Sequence, residues 1–141
     1  MKTKQLKFTL LTLLVGIIAS VTFSSCTAKV PFLSSAVVPA AQGTVQIAKD
    51  KNDNYTIKMQ VINLAGPDRL TPPRNVYVVW LITADNRSRN VGQITTTDNL
   101  NANFETVSAF RPTKIMITAE DEAGVSYPSS SEIILTTAYL K

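Results

Sequence analysis

The stretch Asn75 to Ala84 reads Asn-Val-Tyr-Val-Val-Trp-Leu-Ile-Thr-Ala, and it constrains the fold more than any other. β-Branched and aromatic residues dominate it, which favours a strand. Successive side chains of a strand point to opposite faces. A strand apolar on both faces must therefore be covered on both, which makes this the central strand of a domain. Tyr77 and Trp80 are an odd number of residues apart and so point to opposite faces.

The flanking segments alternate instead. Val45 and Ile47 share a face within Thr44–Lys49. Tyr55, Ile57, Met59 and Val61 alternate with Thr56, Lys58 and Gln60, a period of two that marks a strand with one buried and one wet face. The turn cluster Asp50 to Asn54 joins these two runs into a hairpin. Leu64 to Arg74 is a loop, because Gly66-Pro67-Asp68 and Pro72-Pro73 exclude regular structure. Asp85 to Asn90 reads as a polar turn, Val91 to Thr97 as a Thr-rich strand and Asp98 to Asn101 as another turn. Ala102, Phe104 and Thr106 then alternate. Lys114 to Glu120 places Ile115, Ile117 and Ala119 on one face and Met116 and Thr118 on the other. A Gly/Pro/Ser loop spans Asp121 to Ser131, and Ile133, Leu135 and Thr137 mark the last strand. About seven short strands with turns every 8–12 residues predict an all-β fold, a single antiparallel β-sandwich of immunoglobulin-like kind.

The N-terminus carries a different signal. Lys2, Lys4 and Lys7 precede an apolar run from Phe8 to Phe23, and the small residues Ser24 and Ser25 follow. These are the three parts of a secretory signal. The run is long enough for an uncleaved transmembrane anchor to be the rival reading. Cys26 is the only cysteine of the chain, so a disulfide within it is impossible.

Phe23-Ser24-Ser25-Cys26 resembles the lipobox of bacterial envelope lipoproteins, with Phe23 where an aliphatic residue is usual. The resemblance implies cleavage between Ser25 and Cys26 and a diacylglycerol thioether on Cys26. It divides the chain into a signal peptide (1–25), a lipidated cysteine with a tether (26–41) and a domain (42–141). Two or three acyl chains make a stable anchor where one would be marginal. Prolines 31 and 39 and the Ser34-Ser35 pair suit a tether, whereas Val30, Phe32, Leu33, Val37 and Val38 suit an edge strand packed on the domain. No acidic residue follows the cysteine closely. By resemblance this favours the periplasmic face of the outer membrane.

Removing 25 of the 141 residues leaves 116, enough for one domain with a core. Three of the 14 basic residues go with the leader, so 11 remain against 10 acidic ones. The basic character of the whole chain is thus largely a targeting signature, and no basic run suggests a nucleic-acid partner.

Tyr77-Val-Val-Trp80, Gly92-Gln-Ile-Thr95, Ile115-Met-Ile-Thr118-Ala-Glu120 and Pro128 occur in an order similar to that of the extracytoplasmic domain of anti-sigma-K-type regulators. The likeness covers about residues 43–136. This chain has Asp121 where those regulators usually have Pro, only Gly124 where they have paired glycines, and no residues for their cytoplasmic domain. The resemblance therefore implies the fold and the location, and not sigma-factor binding.

The chain has no His. That removes imidazole acid–base work, Ser-His-Asp systems and His/Cys metal sites, and no glycine-rich phosphate loop is present. No cofactor is expected. Asp50, Asn52, Asp53 and Asn54 could offer oxygens to Ca²⁺ but lack the pattern of an EF-hand loop, so they read as a hairpin turn. Glu120-Asp121-Glu122 reads as the solvated end of a strand. Tyr55, Tyr77, Tyr127 and Tyr139 could line a glycan or peptide surface but read mostly as core or rim. Arg87 and Arg89 sit at one end of the sandwich and are the preferred contact surface.

These features lead to a non-enzymatic module, held to a membrane through Cys26, that binds another envelope component, a protein. The alternative is a carbohydrate-binding accessory module of an envelope enzyme or transport system. A small glycosidase with two carboxylates is a third reading, for which a domain of this size has little room.

Overall fold

Val76–Ile82 lies between two antiparallel neighbours, as its two apolar faces require. The computed structural model describes residue 27, residues 29–128 and residues 133–140. In chain order the strands are β1 (Lys29–Pro31), β2 (Gln42–Lys49), β3 (Tyr55–Ile62), β4 (Val76–Ile82), β5 (Ser88–Ile94), β6 (Ala102–Ser108), β7 (Lys114–Glu120) and β8 (Ile133–Thr136). They form two antiparallel four-stranded sheets, ordered β1-β2-β3-β6 and β5-β4-β7-β8, which pack as an all-β sandwich. No described helix is long and apolar enough to cross a membrane.

The core between the sheets is built from the expected alternating faces. Val45, Ile57, Met59 and Val61 come from one sheet, and Tyr77, Val79, Leu81, Ile115, Ile117 and Ala119 from the other. The Tyr77 hydroxyl, at the edge of this core, donates to the Ala65 carbonyl oxygen at 2.7 Å. The outer face of the first sheet is wet, with Lys58 paired to Glu105 across the strands at 3.0 Å.

Contacts cross both lateral corners of the sandwich. Lys29–Pro31 is an edge strand on β2, one of the two readings its composition left open. Phe32 then bridges to Thr137, and the Leu33 amide donates to the Thr136 carbonyl at 2.8 Å, so this segment passes from one sheet to the other. At the opposite corner, Gly92 of β5 faces the Phe104 ring of β6, and a Cβ there would lie 3.1 Å from the ring.

Three local expectations are corrected. The polar turn is shorter than Asp85–Asn90, because the Thr83 amide meets the Arg87 carbonyl and β5 starts at Ser88. Thr95–Thr97, expected in that strand, belongs to the next loop. In β8 a bulge opposite Ile117/Thr118 turns both Ile134 and Leu135 inward and leaves Ile133 exposed.

Candidate functional site

Trp80 is fully buried, but not between the sheets. Val78, Trp80 and Ile82 point to the outer face of the second sheet, where Val76, Met116 and Val125 pack on them. Loop residues 121–128 lie over this face like a strap. The Asn90 amide Nδ2 donates to the carbonyls of Ala123 and Val125, at 2.8 and 2.9 Å, while its Oδ1 accepts from the Gly92 amide. Asn75 Nδ2 donates to the Asp121 carbonyl, and Arg74 pairs with the Asp121 carboxylate, each at 3.1 Å.

Under the strap runs a buried polar chain. Trp80 Nε1 donates to Thr118 Oγ1 at 2.8 Å, and Thr118 Oγ1 donates to Glu120 Oε1 at 2.6 Å. Thr118 and Glu120 are both fully buried. The expectation that Glu120 lies at a solvated strand end is thus overturned. Thr118 and Glu120 are two apart and share a face, and the strap covers that face. Only Asp121 and Glu122 reach solvent.

The two ends of the sandwich differ in charge. At one end are the Asp50–Asn54 and Thr83–Arg87 turns, the 109–113 loop and residues 137–140. Lys49, Lys51, Arg87, Arg89, Arg111 and Lys114 lie there against Asp50, Asp53 and Asp85. The loops 63–75, 95–101 and 121–128 cluster at the other end. There Asp68, Asp98, Asp121 and Glu122 are exposed, against Arg69 and Arg74.

Arg87 and Arg89 both lie at the basic end but do different things. Arg87 is exposed and pairs with Asp85 at 2.9 Å. Hydrogen bonding from Thr83, and then the positive charge of Arg87 and Arg89, hold the Asp85 carboxyl below its usual range. Arg89 sits on β5 opposite Leu81 and lays its guanidinium over the Phe110 ring, 3.5 Å from its centre. Its Nε is buried with no hydrogen-bond acceptor among the described residues. Elsewhere at this end, Val30, Ile47, Tyr55, Arg111, Pro112 and Leu140 border a recess of about 440 Å³.

The other sequence candidates are scattered. Asp50 Oδ1 accepts from the amides of Asn52 and Asn54 at 2.7 and 2.9 Å, which closes the hairpin turn and lowers its pKa. Asp53 turns away to Lys49 at 2.6 Å. Among the described residues no cluster of His, Cys, Asp or Glu could hold a metal ion. Tyr77 is buried in the core, Tyr127 is exposed at the strap, and Tyr139 is exposed beside Lys114 at the basic end. The four tyrosines therefore do not form one platform. Ser25 and Cys26 lie outside the described residues.

Sequence reasoning missed the cleft at the acidic end. Pro67, Asp68, Arg69, Arg74, Thr95–Thr97 and Asp98 line an open hollow of about 760 Å³. Its residues come from two loops that are far apart in the sequence, so no local pattern announced it.

No protein-family model matches the chain, and no curated protein matches it.

Proposed function

We propose that the protein is a lipid-anchored extracytoplasmic binding module, tethered through Cys26, that recognises another envelope component, a protein, and has no catalysis of its own. The observation that carries this reading is the polar cleft at the acidic end. It is open to water, and its charges are arranged on loops held by a two-sheet β scaffold. Loops on a rigid sandwich are where such folds place recognition. The exposed carboxylates of Asp68, Asp98, Asp121 and Glu122 suit a partner with basic groups, through steering and specificity more than raw affinity.

An immunoglobulin-like relationship is part of the same proposal. Non-consecutive strands pair in both sheets, β3 with β6 and β4 with β7. Counted from β2, these are the pairings of the second with the fifth strand and the third with the sixth of immunoglobulin-type sandwiches, while β5 pairs with β4 and not with β6 as the fourth strand of the constant type would. Of the residues behind the likeness to anti-sigma-K-type domains, Trp80, Thr118 and Glu120 belong to the buried chain under the strap and Ala119 to the core between the sheets. In this protein they hold the fold, so the likeness bears on architecture and not on a ligand.

The test is crosslinking in intact cells with a photoreactive residue at Asp98 in the cleft or at Gln46 on the wet face. The anchored protein is compared with a Cys26→Ala variant, and partners are identified by mass spectrometry. A protein captured from position 98 by the anchored form, and not from position 46, supports the reading. A Cys26→Ala protein that stays membrane-bound at mature size refutes the anchor. No specific protein, with a tyrosine or tryptophan fluorescence response to oligosaccharides, would replace it with the carbohydrate-binding module.

A further inference from the structure

We propose that the basic end of the sandwich is a membrane-docking face that rests on anionic phospholipid headgroups and holds the acidic end away from the bilayer. The proposal rests on the lipid-anchor reading and adds an orientation to it.

Chain direction is the first argument. β1 is antiparallel to β2, with Lys29 opposite Gln46 and Pro31 opposite Thr44. Going back along β1 from Pro31 to Lys29 therefore leads toward the Lys49 end of β2, the basic end. Val30 already borders the recess formed by Tyr55, Arg111 and Pro112. Cys26 is three residues before Lys29, and three residues span at most about 11 Å. A lipid on that cysteine holds the basic end near the bilayer.

Charge is the second. Two of the cations there are met by carboxylates, Lys49 by Asp53 and Arg87 by Asp85. Lys51, Arg89, Arg111 and Lys114 have no ion pair among the described residues. Lipid phosphates supply the missing anions, and the planar fork of arginine suits them well. The exposed carboxylates at the other end would be repelled were that end turned to the same surface.

Aromatic side chains are the third. Phe110 is 45% exposed under the Arg89 guanidinium, and Tyr139 is 71% exposed with Lys114 Nζ 4.3 Å from its ring centre. Rings beside cations suit the headgroup layer, where one part of a side chain is apolar and the other wet.

The test uses the full-length processed protein in vesicles of phosphatidylcholine, with or without phosphatidylglycerol. A fluorescent amino acid replaces Ala109 at the basic end or Asn99 at the acidic end, and nitroxide-headgroup lipids quench it. Quenching at position 109 that exceeds that at 99 and grows with phosphatidylglycerol supports the proposal, as does its loss in an Arg111→Gln/Lys114→Gln variant that melts normally. Equal quenching at both ends, or no dependence on phosphatidylglycerol, overturns it while leaving the anchor standing. Intact-mass analysis tests the anchor separately. If Cys26 carries no lipid, cosedimentation with the same vesicles decides the docking face. Loss of about 25-fold in binding in the double variant, two cations at about fivefold each, supports it, and no binding by the parent protein overturns it.

Discussion

Trp80 and Thr118 stand on neighbouring strands of one sheet face, and the indole Nε1–H reaches the threonine hydroxyl at 2.8 Å. The hydroxyl then donates to Glu120, so one side chain satisfies a buried donor and a buried acceptor at once. Thr118→Val keeps the shape and removes both bonds. It should destabilise the domain by about 1–3 kcal/mol, because buried polar groups lose partners. Thr118→Ser should recover most of the loss. Trp80→Ala should cost about 3–5 kcal/mol through the cavity it leaves. Urea unfolding followed by circular dichroism checks the series, and an unchanged midpoint for Thr118→Val would show that the relay is not holding the strap.

Asn90 fastens that strap from the side. Its amide serves two strap carbonyls and one β5 amide, so Asn90→Ala should loosen residues 121–128 without disturbing the core between the sheets. We expect a loss of about 1–3 kcal/mol, faster amide exchange confined to the strap and a red shift of Trp80 emission as water reaches the indole. Uniformly faster exchange across both sheets would mean instead that Asn90 supports the whole fold.

Gly92 has two reasons to be glycine. Its φ of +136° is a conformation that L side chains rarely adopt, and the Phe104 ring stands where a Cβ would go. Gly92→Ala should therefore cost about 2–4 kcal/mol, combining backbone strain with overpacking. Pairing it with Phe104→Leu should not restore stability, because the backbone strain remains. Thermal melts of the single and double variants separate the two contributions.

The alternation in Tyr55–Val61 was legible because that strand buries one face and wets the other, whereas Lys114–Glu120 alternates in residue type although both of its faces are covered. The all-apolar Val76–Ile82 likewise announced its central place, and the opposite directions of Tyr77 and Trp80 followed from their odd spacing. Trp80 lies under a loop rather than between the sheets, and its own segment holds no sign of that. The start of β5 was hidden for a physical reason. Ser88, Arg89 and Asn90 look like turn residues, yet Arg89 is sheltered by Phe110 and Asn90 is needed to hold the strap. Glu120 was misread because charged residues are rarely buried, and its own segment gives no sign that a distant loop covers the face it shares with Thr118. Arg87 and Arg89 do lie at one end of the sandwich, but their neighbours Asp85 and Phe110 give them different tasks. The cleft at the acidic end needed the fold itself, since Asp68 and Asp98 meet only after the loops are brought together.

Tyr77 gives the domain an alkaline limit. Burial first, and then the negative charge of Asp68, push its hydroxyl up to about 12, while the hydroxyl donates to Ala65. An unfolded tyrosine titrates near 10. Below pH 10 both states keep the proton, and the stabilisation from Tyr77 is fully present. Between about 10 and 12 the unfolded chain releases the proton and the folded one holds it, so stability falls as pH rises. Tyr77→Phe removes this titration. The variant should be less stable at neutral pH by about 1 kcal/mol for the lost hydrogen bond, with a shallower decline above pH 10. Denaturant midpoints at pH 7, 9, 10 and 11 test this, and parallel slopes for the two proteins above pH 10 would show that another group sets the alkaline limit.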